Sequence, residues 1–241
     1  MDQRTQDVLY AAVGEYIKTG RAVSSGGLCE KYDLDARPAT IRAELNRLTE
    51  GGYLCQPHTS GGRVPADKAY EFFARRILDE CRLHRRRETS KDLALFEEFL
   101  RDEKQVFVEN LANELRAFSI CYNARHEEMY SSGLDNLIRT IDINTKRDLL
   151  EIMEGFEQLQ ERVASFASAM FDELRHDEQP RIDINEKDPL MNSRHLSLIS
   201  DAYPMGSENV FLFVIGPKRM DYRKNLRILT TLRNKARERR I

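Results

Sequence analysis

Long hydrophobic runs, a secretory signal and paired cysteines are all missing from this sequence. No stretch of about 18 consecutive apolar residues occurs, which excludes a membrane-spanning helix. The first residues, Met1-Asp2-Gln3-Arg4, carry no apolar segment of the kind that directs secretion. We therefore expect a cytoplasmic protein with no membrane partner.

The cysteines and histidines show no catalytic or metal-binding spacing. The cysteines form no Cys-x-x-Cys pair, and cytoplasmic thiols stay reduced; they are Cys29, Cys55, Cys81 and Cys121. His84, His126, His176 and His195 are scattered, and neither a Gly-x-Ser-x-Gly motif nor a P-loop occurs. Cys121 and His126 could pair as nucleophile and base, but a buried thiol near a surface imidazole is the favoured interpretation. We expect no enzyme, no metal site and no cofactor.

The composition is that of a folded protein with an uneven charge distribution. Hydrophobic residues make up 41% of the 241 residues, enough for a core in one or two domains. Residues 92–216 hold 12 basic and 25 acidic residues, a net charge of −13. Residues 217–241 hold 10 basic and 2 acidic residues, a net charge of +8. The acidic middle is a poor nucleic-acid surface, which leaves the first ninety residues and the tail as candidates.

The N-terminal region predicts a helix-turn-helix. Residues 3–19 show apolar residues at helical spacing, and Ser24-Ser25 can cap a second short helix. A third helix begins near Arg37-Pro38, because proline suits the first helical turn, and it ends at Gly51-Gly52. Its inward stripe consists of Ile41, Leu45 and Leu48.

A hairpin is predicted directly after these helices. Residues 53–56 indicate a short strand, residues 58–63 a polar, glycine-rich turn, and Val64 a return strand that Pro65 closes. Three helices followed by a hairpin form a winged helix, which we assign to residues 1–75.

The remainder predicts linker helices over residues 76–115 and a body over residues 116–241. Short strands are expected near 119–122, 182–184, 195–202 and 208–216. The segment Val210 to Ile215 is apolar on both faces, as in a covered central strand, and Tyr203-Pro204-Met205-Gly206 is the expected turn before it. The fold class is therefore α+β with an antiparallel sheet. A basic helix over about residues 222–240 could be solvated or could add non-specific phosphate contacts.

Residues 144–174 carry an apolar stripe with alternating spacings of three and four. This stripe could be a dimer seam, or it could be the inner side of a helix that packs on its own sheet. The second interpretation is favoured, and both stay open. The members of the stripe are Leu149, Ile152, Phe156, Leu159, Val163, Phe166 and Met170.

The third helix presents a surface suited to the major groove of DNA. With about 100° between successive residues, Ala39, Ala43, Asn46 and Arg47 point away from the inward stripe, and Thr40 and Arg42 flank them. Small residues permit close approach, and arginine and asparagine bond base edges. A merely solvated helix face would look similar. Residues 36–64 carry a net charge of +2, so one copy would bind weakly and a two-fold dimer on an inverted repeat would bind better.

Two long motifs resemble a known family. The first resembles part of the bacterial heat-inducible transcription repressors of the HrcA family. It consists of Pro38-Ala39-Thr40-Ile41-Arg42 and the run from Gly52 to Lys68, which contains Pro57-His58-Thr59-Ser60-Gly61-Gly62-Arg63-Val64-Pro65. The second resembles the family's C-terminal motif and is Ile215-Gly216-Pro217-Lys218-Arg219-Met220-Asp221-Tyr222. Two shorter motifs of the family are resembled by Gly133-Leu134-Asp135-Asn136-Leu137 and Asp188-Pro189-Leu190. The resemblance covers about residues 1–85 and 115–225.

The resemblance implies a repressor of chaperone operons that binds, as a homodimer, a double-stranded inverted repeat called CIRCE. It also implies a GAF-like body with an inserted dimerisation domain, and a chaperonin that promotes the active form. Together with the helical wheel and the glycine-rich turn, it gives a DNA-facing set of Ser24, Arg37, Thr40, Arg42, Asn46, Arg47, His58, Thr59, Ser60, Gly61, Gly62, Arg63 and Lys68.

The chain departs from the family in three places. Family members are longer, and the shortfall lies between Tyr122 and Tyr130, so we expect a reduced GAF-like body without the usual dimer contact. Ala43 stands where the family usually has asparagine, and Gly61 replaces an alanine. The alternative function is that of an interaction protein, which pairs with a full-length repressor or a chaperone and does not read DNA.

Overall fold

The computed structural model describes residues 1–58, 61–83, 89–101, 103–143, 145–176, 179–184, 189–205 and 208–238. The chain divides into two compact units, Met1–Arg76 and Ile77–Ile241. Helices and antiparallel strands are mixed, which confirms the predicted α+β class. Within the described ranges, no helix is both long and apolar enough to cross a membrane.

The first unit begins with helices α1 (Gln3–Thr19), α2 (Ser25–Lys31) and α3 (Pro38–Glu50). The side chains of Asp2 and Ser24 cap α1 and α2 by accepting backbone N–H groups, and Pro38 opens α3. The apolar stripes of the three helices meet in one core, as the sequence predicted. Its fully buried members include Val8, Leu9, Val13, Leu28, Ile41, Leu45 and Leu48.

A short antiparallel hairpin follows α3. Strand β1 (Leu54–Cys55) pairs with β2 (Val64–Pro65). The backbones of Val23 and Arg63 exchange two hydrogen bonds of 2.8 Å, so the segment between α1 and α2 joins the hairpin as a third strand-like edge. Helix α4 (Asp67–Leu83) comes next in the chain.

The second unit contains a five-stranded sheet built from β3 (Phe118–Asn123), β4 (Glu128–Ser132), β5 (Arg181–Ile184), β6 (Leu196–Met205) and β7 (Glu208–Pro217). The strand order is β4-β3-β7-β6-β5, and every pair is antiparallel. The central strand β7 is buried from Val210 to Pro217, which agrees with its predicted covered position. The predicted turn at residues 203–206 begins too early, since Pro204 and Met205 stay in the ladder opposite Asn209 and Glu208.

One face of this sheet is covered by α7 (Leu134–Thr140), α8 (Lys146–Glu157) and α9 (Leu159–His176). Alternate residues of the central strands point into this core, in agreement with the period of two along a strand. They include Phe118, Ile120, Leu196, Leu198, Phe211, Phe213 and Ile215.

The apolar stripe over residues 149–170 proves to be mainly a core stripe. Ile152, Leu159, Val163 and Phe166 are buried against the chain's own sheet. Phe156 packs on the same core, with its ring edge-on to that of Phe118. The dimer seam is therefore wrong for these side chains, because burial against the sheet leaves them no free surface. Leu149 is exposed, and the side chain of Met170 lies outside the described part of the structure.

The opposite face of the sheet is covered by α5 (Ser90–Leu100), α6 (Lys104–Leu115) and α10 (Tyr222–Glu238). Tyr222 hydrogen-bonds Ser197 at 2.9 Å, and the hydroxyl of Tyr203 donates to the carbonyl oxygen of Leu229 at 3.3 Å. Helices α5 and α6 fall in the predicted linker, but they pack with α10 and with β3 and β4. Their aromatic side chains are buried in the second unit, which is why these helices belong to it; they are Phe96, Phe99 and Phe107.

The basic residues of α10 are bonded to carboxylates of the same unit. Arg227 contacts Asp92 at 2.6 Å, Lys224 contacts Glu114 at 2.8 Å, and Arg223 contacts Glu80 at 3.0 Å. Arg233 and Asp201 form an ion pair that is almost fully buried. Helix α10 therefore packs on the core of its unit, and its partly exposed cations are bonded to carboxylates; the expectation of phosphate contacts stays a prediction.

The pair Asp92–Arg227 gives a pH-dependent stability. Burial alone would raise the pKa of Asp92, but hydrogen bonds from Thr89 and Arg227 outweigh it and hold this pKa below its usual value. A lowered pKa stabilises the folded state above the unfolded pKa, and the gain disappears as the pH falls through the folded value. We expect Asp92→Asn to reduce the free energy of unfolding by about 2 kcal/mol at pH 7.

Urea unfolding at pH 7, 5 and 3 measures this effect. The difference between wild type and Asp92→Asn should be constant down to about pH 5 and should shrink below about pH 4, the ordinary range of aspartate. Glu97→Gln, on the exposed side of the same helix, is the control and should change little. A difference that stays unchanged at pH 3 would contradict the role of the charge.

Candidate nucleic-acid interface

Helix α3 is held in one rotation by its buried residues. Ile41, Leu45 and Leu48 are at most 3% exposed, and they fix which residues point outward. Glu44 lies in the same inward stripe and is also only 3% exposed, although it is charged. A buried carboxylate needs hydrogen-bond donors around it, so its partners determine how firmly α3 is held.

Those partners come from the start of α1 and from α3 itself. Oε1 of Glu44 accepts from the guanidinium of Arg4 at 3.0 and 3.1 Å, and Oε2 accepts from the hydroxyl of Thr5 at 2.8 Å. Arg47 contacts Oε2 at 3.3 Å and also Asp2 at 3.3 Å. The carboxylate of Glu44 therefore joins the N-terminus of α1 to the middle of α3. Sequence reasoning missed Glu44, although a charged residue within an apolar stripe was the signal.

The outward face of α3 has the composition expected of a DNA-reading helix. Ala39, Ala43 and Arg42 are exposed side by side, and Arg37 is exposed at the helix N-terminus. Within the described residues, neither Arg37 nor Arg42 has an ion pair or a side-chain hydrogen bond. Thr40 is half-buried in the first turn. Both arginines are thus available to an external anion.

Arg63 and Asn46 are placed next to each other. The guanidinium of Arg63 donates to Oδ1 of Asn46 at 2.7 Å and to the hydroxyl of Thr49 at 3.1 Å. These bonds fasten the hairpin to α3. Arg47 is engaged in the same way by Asp2 and Glu44. Of the predicted arginines, two therefore hold the surface in shape and two are free to bind.

The structure explains why position 62 is a glycine, which the sequence did not reveal. A Cβ atom at this position would lie 2.6 Å from the carbonyl oxygen of Val23 and 2.8 Å from the carbonyl carbon of Ala22. The glycine therefore allows the hairpin to approach the backbone between α1 and α2. Gly61 closes the turn by donating its N–H to the carbonyl oxygen of His58 at 2.9 Å.

The other predicted residues surround this surface. Ser24 caps α2 through the N–H of Gly27 at 3.1 Å. Lys68 lies over the ring of Tyr53 and donates to the carbonyl oxygen of Gly51 at 3.4 Å. His58 is exposed. Thr59 and Ser60 lie outside the described residues.

Cys121 is a poor candidate for catalysis. Its thiol is buried, and burial raises its pKa to about 12, which keeps it protonated at neutral pH. His126 is half exposed and faces Glu208 at 3.4 Å. The favoured interpretation of a buried thiol near a surface imidazole is therefore confirmed.

Comparison with known proteins points to one family. The model of the HrcA protein C-terminal domain matches residues 68–226. Over 78 residues the chain is 45% identical to the heat-inducible transcription repressor HrcA of Thermoanaerobacter sp. (strain X514), which covers 32% of this chain and 23% of that protein. The same-named protein of Thermodesulfovibrio yellowstonii is 49% identical over 73 residues, which covers 30% of this chain and 21% of that protein. The matches thus span less than a quarter of these relatives.

A solved structure shares the fold. The crystal structure of a protein described as hypothetical aligns with a TM-score of 0.73 at 18% identity, over 99% of this chain and 98% of that chain. At this identity the likeness concerns the fold alone.

The contact at Gly62 can be tested by adding one methyl group. We expect Gly62→Ala to reduce the free energy of unfolding by about 1–3 kcal/mol, because the new Cβ would collide with backbone atoms that cannot move away cheaply. Urea unfolding measures the loss. Hydrogen exchange of the Val23 and Arg63 amides should report weakened pairing at the same time.

Gly26→Ala is the matched control for this substitution. A Cβ at Gly26 meets nothing within 4 Å, and the position is helical. Alanine there should be neutral or stabilising by up to about 1 kcal/mol. Equal behaviour of the two variants would show that the approach of the hairpin does not require Gly62.

Proposed function

The chain belongs to the HrcA family, and from this we propose that it is a DNA-binding transcriptional repressor of chaperone operons. The matching relatives carry the name heat-inducible transcription repressor. In this proposal the protein occupies an inverted-repeat operator of the CIRCE type as a dimer and blocks access of RNA polymerase. Repression ends on heating when the dimer or the orientation of the hairpin loosens.

We propose that residues 1–75 act as a winged helix. Helix α3 would enter the major groove, and the hairpin β1–β2 would lie along the adjacent backbone or minor groove. The observation that carries this proposal is Arg42, which is exposed beside Ala39 and Ala43 and has no ion pair or side-chain hydrogen bond within the described residues. Small neighbours let the helix backbone approach the bases, and the free guanidinium can bond a guanine edge.

The rigidity of the surrounding residues supports the same role. Glu44 and its donors fix the rotation of α3, and Arg63 fixes the hairpin against Asn46 and Thr49. Binding then orders few side chains, which lowers its entropic cost. Arg37 and the N-terminus of α3 would position a phosphate rather than read a base.

A single copy offers few cations to DNA. Arg47 and Arg63 are engaged within the unit, so Arg37 and Arg42 supply most of the free positive charge on α3. Non-specific affinity scales with the number of phosphates neutralised. Two copies on two half-sites would therefore be required for tight binding, and this supports the proposed dimer.

We propose that the second unit is a reduced GAF-like effector domain. Strands β3 and β4 are joined by a four-residue turn, Ala124 to Glu127, in the region where the sequence is shorter than the family. The inserted dimerisation domain of the family has no counterpart in so short a turn. Control by chaperonin would then act on the sheet and its helices.

Fluorescence anisotropy with a CIRCE-type inverted repeat and a scrambled duplex tests the proposal. Wild type should prefer the repeat by about 10³-fold or more. Arg42→Ala should lower affinity for the repeat by about 5- to 100-fold, because one base-edge contact is lost. Affinity for the scrambled duplex should change far less.

Arg139→Ala is the charge-matched control. Arg139 is exposed on α7, in the second unit, and its loss should leave both affinities unchanged. Equal, steeply salt-dependent binding to both duplexes would reduce the activity to a basic patch. Absence of binding by wild type would favour the interaction protein that pairs with a full-length repressor or a chaperone.

A further inference from the structure

The outer side of α8 carries an ordered stripe that the sheet does not use. Lys146, Leu150, Met153 and Glu157 follow one another at spacings of four, three and four residues. This spacing places them on one side of a helix, turned away from Ile152, which is buried against the sheet. The stripe runs from a cation through two apolar residues to an anion.

The apolar centre of the stripe is well exposed. Leu150 is 61% exposed and Met153 is 50% exposed, and Leu149 beside them is 43% exposed. In the described part of the chain, the charged ends Lys146 and Glu157 have no ion pair or side-chain hydrogen bond. Among the residues that the structure describes, the charged ends of the stripe thus have no bonded partner, and its apolar centre faces outward.

The charges of α8 are placed against the helix dipole. Anions stabilise the N-terminus of a helix and cations stabilise its C-terminus. Among the exposed residues of α8, Lys146 and Arg147 occupy the first turn, beside the buried Asp148, whereas Glu154 and Glu157 occupy the last turn, which has no basic residue. Asp148 is already bonded to Arg194 and His195, and the exposed charges at the two ends gain nothing from the dipole of their own helix.

We propose that the outer stripe of α8 binds the same stripe of a second copy of this chain in antiparallel orientation. A two-fold axis between Leu150 and Met153 places Leu150 of each copy opposite Met153 of the other. The same axis places Lys146 of each copy opposite Glu157 of the other. The surface is therefore complementary to itself, as an isologous interface requires.

The size of the contact sets its strength. The stripe extends roughly 16 Å along α8, from Lys146 to Glu157. A pair of such stripes buries less than the roughly 1,200–2,000 Å² of stable specific interfaces. The dimer is thus weak and depends on concentration, and two half-sites on one DNA would favour it.

This inference deepens the proposed function, since it names the contact between the two repressor copies. The stripe and its charges are independent of DNA. The experiment therefore uses the full chain without DNA, and its failure would leave the reading surface of α3 untouched.

Charge reversal at the two ends of the stripe is the decisive test. Sedimentation equilibrium of the full chain measures the dimer dissociation constant. Lys146→Glu and Glu157→Lys should each raise it about tenfold, because two attractive pairs per dimer become repulsive. Both substitutions improve the charge order on the helix dipole, so neither should lower the melting temperature, and a loss of dimer is not a loss of fold.

Restoration distinguishes pairing from a general charge effect. The double variant Lys146→Glu/Glu157→Lys should return to within about threefold of wild type, since both pairs are restored with exchanged partners. An equimolar mixture of the two single variants should form heterodimers, in which every facing pair is again opposite in sign. Failure of both restorations would overturn the antiparallel pairing.

The apolar centre is tested separately. Leu150→Glu should raise the dissociation constant by about 30-fold or more, because each copy then buries a carboxylate at the contact. Val106→Glu is the matched control: Val106 is 44% exposed on α6, away from the stripe, and its replacement should change nothing. A wild-type chain that stays monomeric at millimolar concentration, or a Leu150→Glu variant that dimerises like wild type, would overturn the proposal.

Discussion

The ion pairs that α10 makes with its own unit are the constraint on which the rest of the molecule depends. The C-terminal segment carries a net charge of +8 and the middle of the chain a net charge of −13, and the two complement each other. Arg227 meets Asp92, Lys224 meets Glu114, and the buried Arg233 meets Asp201 on β6. These contacts fasten the helix that covers the second face of the sheet. Because a buried ion without its partner is costly, the pair Arg233–Asp201 commits α10 to the fold, and the other pairs neutralise part of the positive charge of the tail.

In the proposed function, this partial neutralisation of the tail leaves DNA recognition to the first unit. In this unit, several charged residues bond one another. Glu44 accepts hydrogen bonds from Arg4, Thr5 and Arg47, and Arg63 bonds the hairpin to α3. What remains is a small surface in which Arg42 is exposed beside Ala39 and Ala43. Such a surface favours selectivity over affinity, since base-edge contacts discriminate while phosphate contacts supply most of the binding free energy.

The sequence predicted the helices and strands better than the surfaces against which they pack. Ile41, Leu45 and Leu48 define the inner side of α3 by periodicity, and the apolar run in β7 requires cover on both faces. Periodicity cannot tell which surface covers a stripe, so Val163 was compatible with a second copy as well as with the sheet. The sequence did not reveal the hydrogen bonds of Glu44 or the close approach at Gly62, because each depends on a segment distant in sequence. For Glu44 this segment is the start of α1, and for Gly62 it is the backbone at Val23.

The two sides of α8 differ in what they contact. Its inner side is saturated by the sheet through Ile152, while its outer side keeps Leu150 and Met153 exposed between charges that oppose the helix dipole. In the proposed dimer, two antiparallel copies satisfy that outer arrangement, because each exposed side chain meets a complementary one. In the proposed repressor, a weak contact between copies and weak DNA reading by each copy reinforce one another on an inverted repeat, because binding the first half-site raises the effective concentration at the second. Occupancy then responds steeply to anything that alters the contact between the copies.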